Sequence, residues 1–144
     1  MKPLRILLVG AGSVGQVYGH HFQQGGADVR FLVRPKYVDA SASGYTLHHL
    51  HRKRCDTLTF QPTHFGDTAA ATRGGVDAVV LCTSAVPAIR KRSLVKLMVK
   101  KLLRRPDVGR PEFSFPPGGT PEEVDWLGAK KQIDAAKAAG VSHF

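Results

Sequence analysis

The sequence predicts an α/β fold built on a doubly wound parallel sheet, and three observations carry that expectation. The apolar run Ile6-Leu7-Leu8-Val9 drives straight into the turn Gly10-Ala11-Gly12-Ser13-Val14-Gly15. A helical pattern and then a β-rich run, Asp28 to Val33, follow with short links. Further on, Gly75 to Cys82 (GVDAVVLC) is a continuous apolar stretch of the kind that is covered on both faces of a sheet.

The first element has the form of a buried strand entering a G-x-G-x-x-G loop. Gly10 permits the tight turn, Gly12 leaves the backbone free to approach a pyrophosphate, and Gly15 lets the next helix pack closely on the sheet. An anion would sit at that helix's N-terminus, where unpaired N–H groups and the helix dipole favour negative charge. Gly10, Ala11, Gly12, Ser13, Val14 and Gly15 are therefore candidate dinucleotide-binding residues of a Rossmann-like domain.

Val14, Val17, Tyr18 and Phe22 recur at helical spacing up to Gln24, and Gly25-Gly26 supplies the stop. The strand after it ends without an acid, which would have bonded an adenosine ribose. It runs instead into Arg34-Pro35-Lys36, two cations where a 2′-phosphate would lie, so NADP is the expected cofactor; the other reading of Arg34 is an ordinary solvated charge. Asp28 lies at the wrong end of the strand to read the ribose.

Tyr37 to Ser43 predicts a short helix, and Tyr45 to Leu50 with Thr57 to Phe60 predict two short strands around the polar turn 52–56. His48, His49, His51 and Cys55 hold atoms suited to zinc but lack a recognised ligand frame, so an exposed strand edge is expected and no metal site. Gly66-Asp67 precedes a small-residue stretch, Thr68 to Thr72. The strand ending at Cys82 emerges at Thr83-Ser84, beside the glycine loop, where open α/β sheets bind ligands. Asp67, Cys82, Thr83 and Ser84 join the candidate cofactor residues, although Thr83 and Ser84 could equally cap the next helix.

Arg90 to Arg105 carries eight Lys or Arg and no acid, interleaved with Leu, Val and Met, which predicts an amphipathic basic helix. No stacking aromatics are interleaved, which weakens a nucleic-acid reading. A Pro/Gly-rich segment ends at Thr120, where Pro121 and Glu123 complete a capping box for a helix with Trp126, Ala129, Ile133, Ala136 and Gly140 on one face. Val141 to Phe144 reads as the start of another strand.

Length and composition fit one globular domain, residues 1–144, in which 90–119 is a basic-helix and Pro/Gly-rich insertion. No apolar run nears the ~20 residues that span a bilayer, and Met1-Lys2-Pro3 leads directly into a strand, so a cytoplasmic protein without membrane insertion is expected. Two cysteines are too few for a disulfide framework. The net charge of +10 points to an anionic partner.

Residues 4 to about 60, carrying ILLVGAGSVGQVYGHHFQQGGADVRFLVRPKY, resemble the N-terminal NADP-binding domain of ketopantoate reductase. That resemblance implies pyrophosphate at Gly10, Gly12 and Gly15 and the 2′-phosphate at Arg34. Residues 66 to 144, with VDAVVLCTSAVP, GRPEF and PEEVDWLGAKKQIDAAKAAGVSHF, are similar to an atypical, NmrA-like short-chain dehydrogenase/reductase. Such reductases usually carry G-x-x-G-x-x-G at the first turn, and none of Tyr18, Tyr37 and Tyr45 begins a Tyr-x-x-x-Lys pair. The lysine and helical second domain of ketopantoate reductases are not found either. The chain thus reads as the cofactor half of a reductase, either joined from two related lineages or mis-spliced, without its catalytic half. Its partners would be a dinucleotide and, through an open sheet edge, a second copy. The other reading is a non-enzymatic dinucleotide sensor that docks an acidic partner or membrane surface through the basic helix.

Overall fold

A computed structural model describes residues 2–51 and 54–144, with side chains described outside 49–58. The chain forms two compact units, Met1–Thr83 with Ala129–Phe144, and Ser84–Gly128.

The first unit is built on a four-stranded parallel sheet. Strand β1 (Arg5–Val9) is followed by α1 (Ser13–Gln24) and β2 (Asp28–Leu32). A 3₁₀ turn, Pro35–Tyr37, leads to the short helix α2 (Val38–Ser41). An antiparallel hairpin comes next, β3 (Tyr45–His51) with β4 (Arg54–Phe60), and then β5 (Thr63–Phe65), α3 (Thr68–Thr72) and β6 (Ala78–Leu81). The sheet order is β5-β2-β1-β6. The chain steps outward from β1 through β2 to β5 and then returns to the other side of β1. That reversal opens a crevice at the carboxyl ends of β1 and β6.

β1 sits centrally because its residues are apolar on both faces: Ile6, Leu7, Leu8 and Val9 are all buried. Period-two alternation sends Leu7 and Val9 into one core with Ala71, Val76, Val79 and Ala136. Leu8 goes to the opposite core with Val29, Phe31 and Phe60, where Phe22 of α1 and Tyr45 and Leu47 of the hairpin also pack. The helix α5 (Ala129–Ala138) supplies Ala136 to the first core. Just beyond it, His143 forms a parallel bridge with Ala78, and its carbonyl accepts the Val79 N–H at 3.0 Å, so the beginning of a strand expected at Val141–Phe144 does lie beside β6.

The second unit holds α4 (Lys91–Leu102) and a two-residue antiparallel pairing of β7 (Ala88–Ile89) with β8 (Phe113–Ser114). The Ser93 hydroxyl, buried under α4, accepts the Glu112 N–H at 2.7 Å and ties the long loop back to the helix. The capping box is formed as expected: Thr120 Oγ1 donates to Glu123 Oε2 at 2.8 Å, and the Glu123 N–H returns to Thr120 Oγ1 at 3.3 Å. The expectation of one continuous apolar face after it fails. Residues Glu122–Gly128 form π-helical turns, whose wider winding breaks the 3.6-residue phase, and Trp126 is left 68% exposed.

Two further sequence expectations need adjusting. The helix expected over 37–43 is shorter, split between the 3₁₀ turn and α2, and β5 went unforeseen. The proposed strand edge at His48, His49, His51 and Cys55 is the β3–β4 hairpin, with His48 paired to Thr57 in register. The side chains of His49, His51 and Cys55 lie outside the described residues. Among the described residues no cluster of three or more His, Cys, Asp or Glu could hold a metal ion. No described helix is long and apolar enough to cross a membrane.

Candidate functional site

A cleft of about 640 Å³ lies at the crevice, lined by the glycine turn, the end of β2, the 3₁₀ turn, the end of α2, the start of α3, and Thr83 after β6. The glycine turn beside it makes three different uses of a missing side chain. Gly10 has φ +98°, a conformation that L side chains rarely adopt, and a Cβ there would lie 2.8 Å from Thr83 Cγ2. At Gly15 a Cβ would collide with the Gly10 carbonyl and press on Cys82, so α1 can sit this close only with glycine at that point. Gly12 is the opposite case, because a Cβ there would meet no atom within 4 Å. The space beside Gly12 is open, as a backbone that must approach a ligand requires.

Gly12 is also the N-cap of α1, in extended conformation and with no side-chain cap. The first turn of α1 contains no acid. An α-helix leaves its first N–H groups without intrahelical acceptors, so those of the 13–15 turn face the glycine loop with the positive end of the helix dipole. The Gln16 side chain steadies the loop from within, its Nε2 donating to the Ala11 carbonyl at 2.8 Å.

At the far end of the cleft the Arg34 side chain is exposed, with no hydrogen-bond or ion-pair partner among the described residues. Its backbone carbonyl is occupied, accepting the Tyr37 N–H at 2.8 Å. Lys36 behaves differently: its ammonium lies over the Tyr37 ring, 4.8 Å from the centroid, and does not line the cleft. Tyr37, Ser41 and Tyr45 close this end of the cleft, and nothing in their sequence spacing announced it. Tyr45 is fixed by a 2.7 Å hydrogen bond to His64 Nε2, and His64 stacks on Phe31 at 5.8 Å. Burial pushes the Tyr45 phenol above its ordinary value and holds the His64 imidazole below its own.

Of the sequence-selected residues, Gly10, Ala11, Gly12, Arg34, Asp67 and Thr83 line the cleft together. Asp67 has a structural task as well, its Oδ1 accepting the Ala70 N–H at 2.9 Å as the N-cap of α3. Ser13, Val14, Gly15 and Cys82 stand behind or beside the lining, Cys82 as a half-buried free thiol whose pKa burial raises. Ser84 belongs to the second unit. Gln132, from α5, lines the cleft although sequence reasoning passed over it.

A parallel strand, a glycine turn and an uncapped helix N-terminus meeting at the switch point of the sheet define a Rossmann-like α/β fold. The family model for ketopantoate reductase PanE/ApbA matches residues 6–101, and the chain belongs to that family. The chain is 36% identical over 146 residues to an uncharacterized chloroplastic protein of Arabidopsis thaliana, an alignment covering 99% of this chain and 39% of that protein. It is 38% identical over 77 residues to sanguinarine reductase of Eschscholzia californica, covering 49% of this chain and 28% of the relative. It therefore spans well under half the length of either curated relative. A crystal structure of a protein assigned as a ketopantoate reductase, from Ralstonia solanacearum MolK2, aligns with 69% of this chain and 27% of its own, at 23% identity and a TM-score of 0.47.

Proposed function

We propose that the cleft binds NADP and that the chain is the cofactor module of a reductase. The observation that carries the reading is the open space beside Gly12 at the mouth of an uncapped, acid-free helix. A pyrophosphate there would be held by N–H groups that have no other acceptor. Arg34, unpaired at the other end of the cleft, would take the 2′-phosphate by charge-assisted hydrogen bonds. Ala11, Ser13, Val14 and Gly15 would shape the phosphate turn; Asp67, Cys82 and Thr83 would border its sheet side; Lys36 would add positive charge near Arg34. When bound, the nicotinamide supplies hydride, and this chain's residues bind and orient it.

The substrate side of the reading rests on the relatives. The match to sanguinarine reductase, a reductase by name, supports the reductase reading. An NmrA-like short-chain character for residues 66–144 belongs to the same proposal, with 1–144 as a single cofactor domain and 90–119 as its basic-helix and Pro/Gly-rich insertion. Family and relative together favour an oxidoreductase over a non-enzymatic sensor. A cytoplasmic site of action is set against the chloroplastic Arabidopsis relative, and organelle fractionation of the tagged protein separates the two.

Calorimetric titration of the chain with NADPH and NADH tests the proposal. NADPH should bind at least ~10-fold more tightly, the effect of one good phosphate contact. Equal affinities would remove the 2′-phosphate assignment, and no binding of either would remove the site.

A further inference from the structure

The basic helix α4 has its charges and its apolar residues on separate arcs, and the buried side is the smallest. Ser93, Leu97 and Lys100, at i, i+4 and i+7, point into the unit, Lys100 reaching the Asp107 carbonyl at 3.0 Å. Leu94, Met98 and Leu102 recur at i, i+4 and i+8, with Val95 and Val99 alongside, and all five face solvent; Leu102 is 83% exposed, Met98 64% and Val95 60%. An amphipathic helix in a globular protein normally turns such a stripe inward. Here it is turned outward.

What surrounds the stripe indicates what would cover it. Arg92 and Lys96 flank it on one side and Lys101 on the other, with Lys91 at its N-terminal end. None of these four has an ion-pair partner among the described residues, and the helix carries no acid. A covering surface must therefore be apolar in its centre and anionic at both margins. Five apolar side chains and four cations on one helix are also far fewer than the ~20–30 residues a side of a standard protein–protein interface. A bilayer needs no such matched patch, because acyl chains accept the apolar arc in any register while anionic headgroups meet the flanking cations.

We propose that α4 docks the protein reversibly on an anionic bilayer, lying in the headgroup plane with Leu94, Val95, Met98, Val99 and Leu102 in the acyl boundary. The whole chain is to be sedimented with vesicles of phosphatidylcholine alone and of phosphatidylcholine with phosphatidylserine. Each flanking cation contributes roughly fivefold to partitioning at an anionic surface, so the serine-containing vesicles should bind more than tenfold better, and added salt should weaken the binding. Lys96→Glu with Lys101→Glu should lower it at least roughly 25-fold. Met98→Ser with Leu102→Ser should lower it roughly tenfold or more. All four positions are exposed, and thermal melts unchanged from the parent show that the variants fold. Equal binding to both vesicle types, or none, overturns the proposal. So does loss in the charge variant with full binding by the Met98→Ser, Leu102→Ser variant, which would show that the apolar stripe does not enter the bilayer.

Discussion

Arg5 and Asp77 hold β1 and β6 together by a reciprocal set of bonds at the end of the sheet opposite the cleft. The Arg5 N–H donates to Asp77 Oδ2 at 2.8 Å, the guanidinium grips both carboxylate oxygens at 3.0 and 2.7 Å, and the Asp77 N–H returns to the Arg5 carbonyl at 2.9 Å. Arg5 also donates to the Gly74 carbonyl. Hydrogen bonds from the Arg5 side chain and backbone hold the Asp77 carboxyl well below the usual carboxylate range. A carboxylate whose pKa falls on folding contributes stability above its unfolded value, about 3.9, and loses it as pH falls through the folded one. Asp77→Asn should thus melt earlier than the parent at pH 7, and the gap should shrink progressively below about pH 4. A gap that stays constant to pH 2 would show that the charge is not what matters.

His64 gives a second, separable pH dependence. Burial against Phe31 and Tyr45 favours its neutral form, so protonation opposes the fold. Stability from this source is present above the unfolded value near 6.5 and declines as pH falls below it. His64→Phe should flatten the melting curve between pH 7 and 5 relative to the parent, as read by circular dichroism at each pH.

Arg34→Ala should weaken NADPH binding by ~10-fold or more while leaving NADH almost untouched, since only the 2′-phosphate contact is removed. The exposed guanidinium has no partner in the fold, so the melting temperature should not move. An equal loss for both dinucleotides would place Arg34 elsewhere in recognition.

Gly12→Val and Gly19→Ala should fail in opposite ways. Gly12 has open space around it, so valine should abolish dinucleotide binding and keep the melting temperature. At Gly19 a Cβ would lie 2.7 Å from the Phe31 ring and 3.2 Å from Leu8. Overpacking of that kind costs about 1–3 kcal/mol, roughly 3–15 °C for a chain of this size. Paired binding and melting measurements on the two variants check the contrast.

The parts of the fold that could be read from sequence are those where one local signal suffices. β1, α1 and β2 follow from apolar alternation, helical spacing and the glycine turn, and Thr120 with Glu123 announce their capping box. β5 escaped because three residues, Thr63-His64-Phe65, cannot display a period. Gly19 was passed over because the constraint on it is the Phe31 ring, twelve residues away and across the helix–sheet gap. The same holds for Tyr45, Ser41 and Gln132 in the cleft: each arrives there by tertiary packing of an element whose own sequence shows only its secondary structure. Trp126 shows the converse, a regular helical spacing undone by a local π-helical winding.

Gly15 and Gly19 are one turn apart on the same side of α1, and both approach their neighbours so closely that a methyl group does not fit. The helix is thus seated on two points of a rail, and the height of that rail sets where the N–H groups at its tip are presented. Bulk added at position 19 would lift one end of the helix and tilt the other. Loss of ligand affinity would then trace to a residue that never touches the ligand, and an inventory of cleft-lining residues would not reveal it.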